Sequence, residues 1–434
     1  MKRQKPDSAL DAVLPGGSPA PPRKRGGFAQ TLDVLRGRDF RVLETGMVLS
    51  MAAMQMNIIS RTWLAYHISG SALALGIVAM GRGLPQLFIS PLAGVAADRF
   101  DKRKLLMTTQ SGMAFLALIN AVLVHLGVIQ VWHLVLLGLA QGFVFPFTMP
   151  SRQAMIPHFA GKSRIAQAFA IDSAGRNLNR VLAPSIGGVL IAWHPVIAFY
   201  AIAAAYAGAA LTVARLPAVK TVRSIKTSAV RDLAEGIRYV FKNRILLVLI
   251  AIAFIAVILG MPVQQFLTVF QREVLHVSPR ELGLMYTAIG IGALLGSVAI
   301  AGISNSPRRG MIQMGFGVIY GASLVGFALS HVLIVSLAFL IVFGLASEGY
   351  MTINRVEVIT NTDSSILGRV LGIYVTTWAL MPISALPLGF FVDMFGPVAT
   401  FSGAGCLMVL FLVLIMAVHP AVWHARRPGS RHTR

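Results

Sequence analysis

The chain has 434 residues, 56% of them hydrophobic and 12% charged, with a formal net charge of +22 and a mean hydropathy of +0.72. A water-soluble fold of this size cannot hide that much apolar surface, so the composition describes a multi-pass membrane protein. Unbroken apolar runs of about 20 residues exclude the short alternating segments of a β-barrel, and a single cysteine, Cys406, excludes a disulfide framework and a Cys-based metal motif.

Residues 1–40 are polar, run through a Pro- and Gly-rich stretch from Pro15 to Pro22, and carry Arg23, Lys24 and Arg25. They read as a disordered basic tail, too weakly apolar for a cleaved leader. Apolar spans follow at 42–66, 73–96, 105–126, 131–153, 166–192 and 196–214, then at 245–270, 281–303, 311–329, 332–354, 367–391 and 398–419. Between the two sets lies a basic linker, 215–244, in which 231–241 has apolar residues at helical spacing and reads as a surface helix. The expected fold is an all-α membrane protein of twelve transmembrane helices in two six-helix halves, 41–214 and 245–420, closed by a basic tail at 421–434.

The bases set the orientation. With the N-terminus in the cytoplasm, 32 of the 38 Lys and Arg fall on the cytoplasmic side, against Arg272 and Arg280 on the other. Both termini are therefore expected inside, and the net charge need not signal a nucleic-acid partner. The same orientation puts the stretch from Gly94 to Lys104, dense in both acids and bases, in the cytoplasmic loop between spans 2 and 3.

The halves also echo each other. Gly138-Leu-Ala-Gln-Gly142 in span 4 matches Gly344-Leu-Ala-Ser-Glu-Gly349 in span 10, and Gly94 matches Gly302 ahead of Arg308 and Arg309. Duplicated halves are the signature of a carrier that rocks about a midplane site. Together with Gly94-x-x-x-Asp98-Arg99-x-x-x-Arg103, this plan resembles the major facilitator superfamily. The run from Trp63 to Gly76, Pro91-Leu-Ala-Gly94 and Gly368-Arg-Val-Leu-Gly372 resemble its enterobactin-exporter-like branch, which also holds macrolide and other drug efflux carriers.

The resemblance implies export across a bacterial inner membrane by proton antiport, through a cavity lined by spans 1, 4, 7 and 10. It also implies a conformational switch at Gly94, Asp98, Arg99 and Arg103. Asp98 ends span 2, where a lone anion opposes the helix dipole; facing the N-terminus of span 11 it becomes favourable and would hold the cytoplasmic face shut. The family often adds an acid in span 4, which this chain lacks, and Ser306 stands where Asp98 would repeat. Gly175-x-x-x-Asn179-x-x-x-Ala183-Pro184-x-x-Gly187-Gly188 is similar to the antiporter motif of span 5, with Asn179 and Ala183 in place of two glycines. Small residues at this spacing equally serve ordinary helix packing.

Charges inside spans cost about 2.5–3.5 kcal/mol each, so they mark a cavity or a partner. Asp172, Arg176 and Arg180 lie four apart on one face of span 5. Asp172 can pair with Arg176. Arg180 has no local acid, and its partner is either Glu348 in span 10 or the substrate. Whether Arg176 and Arg180 form a basic cavity wall or structural bonds stays open. Glu348 is the first candidate for proton coupling and Asp172 the second. Arg82, in Gly81-Arg-Gly-Leu-Pro85, joins Gln55, Asn57, Gln264 and Gln265 as candidate substrate contacts. Arg61 is expected to snorkel to the outer surface. Met47, Met51 and Met54 suit an adaptable apolar wall better than a metal path.

No Gly-x-x-x-x-Gly-Lys-Ser/Thr loop, hydrolase elbow or zinc signature is present. The reading is a carrier and not an enzyme, with no cofactor, metal site or ATPase subunit, and with a proton gradient, a small molecule and the bilayer as its partners. The arginines favour a siderophore-like metabolite; the Met-rich and apolar walls favour drugs. A non-transporting membrane sensor or assembly factor is the alternative from another class.

Overall fold

The computed structural model describes residues 33–161, 164–219, 229–303, 308–363 and 366–418, which hold helices and no strands. The first half comprises α1 (Arg38–Ser69), α2 (Ala72–Arg99), α3 (Lys102–His125), α4 (Val131–Ala160), α5 (Ile165–Trp193) and α6 (Pro195–Ala214). A linker helix, Ala229–Lys242, leads to α7 (Arg244–Val274), α8 (Pro279–Ile303), α9 (Arg309–Leu329) and α10 (Leu333–Thr360). α11 begins as Leu367–Ala379 and resumes at Met381. The segment Met381–Val418 is then broken at Gly396 (φ 81°, ψ 161°), and α12 occupies 397–418. Only glycine adopts that φ freely, and Pro397 directly after it restarts the helix.

Among the described residues, ten segments are long and apolar enough to cross a membrane. α5, at 29 residues, carries Asp172, Arg176 and Arg180, and Met381–Val418 contains the end of one helix and all of the next. The order is thus consistent with twelve spans. Two more of the described helices are interrupted. α4 passes through a 3-10 turn at Phe145–Phe147 around Pro146 before resuming at Thr148. α7 contains π-helical turns at Ala256–Gly260 and Phe270–Val274.

In the first half α1 packs on α5 and α6, α3 on α6, and α2 on α4; in the second, α8 and α9 pack on α10, and α9 on α12. The halves meet along α5–α8 and α2–α11. Large side chains such as Phe88, Trp132, Leu136 and Ile334 are exposed on the outside, as lipid contact permits, so close packing of small residues has to hold the helices together. A Cβ on Gly76 of α2 would lie 2.6 Å from the Ala385 carbonyl oxygen of α11, and one on Gly389 2.6 Å from that of Ala72. On the other seam, a Cβ on Gly188 of α5 would lie 2.8 Å from Cα of Gly283 in α8. These backbone-to-backbone contacts lie toward the far face, opposite the near face where α1 begins. At the near face Gly94 of α2 and Gly368 and Gly372 of α11 would meet nothing within 4 Å. The halves are joined backbone to backbone at the far face, while at the near end α2 also meets the linker helix and the first part of α11, with Ala93 and Ala97 buried.

The linker helix docks at the near end of α11 through Glu235 and Arg369 (3.1 Å) and through Tyr239 donating to Asp363 (2.8 Å). Burial, then the Asp363 carboxylate, push the Tyr239 phenol above its ordinary range.

Candidate functional site

Near mid-depth, α5 and α10 bring Arg180 and Glu348 into an ion pair of 2.9 Å across the two halves. Of the two partners open to Arg180, the structure shows the acid. The side chains are 36% and 30% exposed. A charged pair in mid-span is too costly to leave on the lipid face, so its position joins the two halves within the bundle.

A second polar group fills the first half. Asn57 donates to Gln141 (3.2 Å) and is buried. Arg61 does not snorkel: it is 6% exposed and donates to the carbonyls of Val78 (3.0 Å) and Leu134 (2.7 Å). Its guanidinium occupies the space that a side chain on Gly138 would take, so the glycine of span 4 makes room for an arginine. Two carbonyl acceptors inside the bundle hold it better than a stretch to the surface would. Arg82 is half-buried, lies 4.9 Å over the Phe145 ring, and makes no ion pair or hydrogen bond among the described residues; its Nε is buried without a partner. Nearby, the buried Tyr206 hydroxyl is also unsatisfied. Gln55, Gln264 and Gln265 are half-buried, and their side chains bond to no described residue.

The third group lies nearer the near face. Asp172 is fully buried and ion-paired with both Arg176 and Arg152. Arg152 also lies 3.9 Å from Glu44 of α1, whose Oε1 is buried without a hydrogen bond. Arg152 falls at the end of the expected span 131–153; α4 continues to Ala160, so it is a helical residue only 3% exposed.

Of the switch residues, the side chain of Asp98 lies outside the described residues. Arg99 is exposed, and Arg103 donates to the Ala214 carbonyl at the C-terminus of α6 (2.5 Å), a favourable place for a cation. Of the residues resembling the antiporter motif, Pro184 and Gly188 pack on Gly283 of α8, while Gly175 and Gly187 face Met47 and Met56 of α1. At the far face Tyr66 donates to Glu273 of α7, and Asp393 of α11 accepts from the amides of Ala72 (2.7 Å) and Leu73 (3.0 Å) and from the Ser71 hydroxyl (2.6 Å).

Sequence reading missed Glu44, Arg152, Glu273 and Asp393. Glu44 is an acid inside the first apolar span and so was detectable; Asp393 lay just beyond the expected end of span 11 and looked like loop.

Two packed helical halves joined by an ion pair near mid-depth have the architecture of a membrane transporter and not of an enzyme. The chain belongs to the major facilitator superfamily: the family described as transmembrane secretion effector matches residues 29–432. The chain is similar to the staphyloferrin A transporter of Staphylococcus aureus, with 27% identity covering 81% of this chain and 90% of that protein. The multidrug efflux pump Tap of Mycolicibacterium fortuitum is 28% identical over 83% of this chain and 90% of its own. The enterobactin exporter EntS of Citrobacter koseri is 26% identical over 91% of this chain and 93% of its own. In fold it matches the nucleoside transporter NupG, with a TM-score of 0.73 at 14% identity, covering 90% of this chain and all of that one. It also matches a bacterial homologue of the lysosomal transporter Spinster in an inward-facing conformation, with a TM-score of 0.67 at 12% identity, covering 90% and 96%.

Proposed function

We propose that this chain exports a small organic molecule of the siderophore class from the cytoplasm, across the bacterial inner membrane, in exchange for protons. The names of the relatives support export of siderophores or drugs, and the Lys/Arg asymmetry assigns the near face, with both termini, to the cytoplasm. The observation that favours an acidic metabolite is Arg82, a cation within the bundle that no carboxylate neutralises. An anionic group on the substrate supplies the missing charge, and Phe145 a face for its ring.

Glu348 carries the coupling. Ionised and held by Arg180, it accepts hydrogen bonds from donor groups on the substrate. A proton arriving from the far side removes both that acceptor and the partner of Arg180. Proton and substrate thus exclude one another, which antiport requires. Asp172 is the second proton candidate. Gln55, Gln264 and Gln265 offer further hydrogen bonds to substrate, Asn57 being buried on Gln141, and Asp98, Arg99 and Arg103 close the near face after loading.

Broad drug efflux is the second reading, favoured by the Met47, Met51 and Met54 face and the similarity to Tap. Cells making the protein should retain less enterobactin than cells without it, and an uncoupler should erase the difference. A Glu348→Gln variant should behave like the uncoupled cells. Export by that variant that still responds to the uncoupler would remove Glu348 from the coupling role.

A further inference from the structure

We propose that Asp393 is the far-face gate of the transport cycle: an acid of the second half that caps the first turn of α2 and is released each time the far face opens. Its two oxygens take the Ala72 and Leu73 amides and the Ser71 hydroxyl, three bonds of 2.6–3.0 Å between residues some 320 positions apart. The first amides of a helix have no intrahelical acceptor and sit at the positive end of its dipole, so a carboxylate there is bound by charge as well as by hydrogen bonds.

α2 does not need Asp393 in order to begin. Ser71 already caps it from within, accepting from the Ala74 amide (3.4 Å). The Asp393 bonds therefore add stability only where the two halves touch. Asp393 is also solvent-exposed, and Ser71 and Leu73 are only partly buried, so parting them returns carboxylate and amides to water and strands no buried charge. A buried pair would rivet the seam; an exposed one can release. Beneath it, the Gly76–Ala385 and Gly389–Ala72 contacts supply apposition without charge. The placement mirrors the near face. Asp98 stands near the C-terminal end of α2 at that face as Asp393 stands near the C-terminal end of α11 at this one.

The inference rests on the chain alternating between two faces and is independent of which substrate it carries. The test is distance measurement by electron spin resonance on purified full-length protein lacking Cys406 (Cys406→Ser). Labels at Val128→Cys and His331→Cys span the far face, and labels at Lys104→Cys and Thr360→Cys span the near face. Asp393→Asn keeps the shape and one acceptor but loses the charge. It should raise the far-open population about tenfold or more, with a matching loss of near-open population. Ser71→Ala should shift both pairs the same way by less, and it decides the question if Asp393→Asn fails to fold. Unchanged populations in both pairs for folded variants would overturn the gate. A failure of enterobactin export leaves this readout untouched.

Discussion

An Arg152→Met variant is expected to be less stable than the native chain by about 3–5 kcal/mol, read from unfolding of the purified protein in detergent. Arg152 is 3% exposed and bonds to an Asp172 that is completely buried. Removing it leaves that carboxylate with Arg176 alone and leaves Glu44 with no cation within the range at which Arg152 now stands, 3.9 Å. The penalty comes from the uncompensated acid rather than from a large net worth of the pair, so adding Asp172→Asn should restore part of the loss. Glu44→Gln should be far milder, because the Glu44 Oε1 makes no hydrogen bond to forfeit. A stability unchanged by Arg152→Met would mean that water reaches this cluster and screens it.

Arg82→Met should give the opposite pairing of effects. Replacing an intramembrane cation that has no acid partner by an apolar side chain of similar length should leave stability unchanged or raise it. Enterobactin transport should fall about tenfold to a hundredfold, the value of one lost charge-assisted contact. Stability rising as activity falls marks a residue kept for function. Arg61→Met, by contrast, should lose stability, since Arg61 ties the carbonyls of Val78 and Leu134 together. If Arg82→Met also destabilises and spares transport, the arginine serves packing through Phe145.

The spans, their order and the linker helix were legible because apolar length and helical period are local properties of the chain. The ends of spans were less legible: α4 and α10 run on past the expected 153 and 354 to Ala160 and Thr360, and the break at Gly396 sets the end of span 11, where a lone glycine does not announce a positive φ. The pairing of intramembrane charges was legible only within one helix. Asp172 and Arg176 are four residues apart and had to be neighbours, whereas Arg152 reaches Asp172 only because α4 survives the 3-10 turn at Pro146 and runs on to Ala160. The fate of Arg61 was hidden for a similar reason. Its choice between surface and interior depends on an empty volume above Gly138, on another helix. Asp393 could not be recognised as a cap, because the helix it caps begins some 320 residues earlier in the chain.

Flux into proteoliposomes tests the central claim most directly. Purified protein is reconstituted, an outward-acting pH gradient is imposed, and accumulation of enterobactin is followed beside that of a cationic dye standing for drugs. Gradient-dependent enterobactin accumulation, abolished by a protonophore and accompanied by counterflow of protons, is the predicted result. Equal enterobactin flux with and without the gradient, or gradient-driven transport of the dye alone, would contradict proton-coupled export of an acidic metabolite.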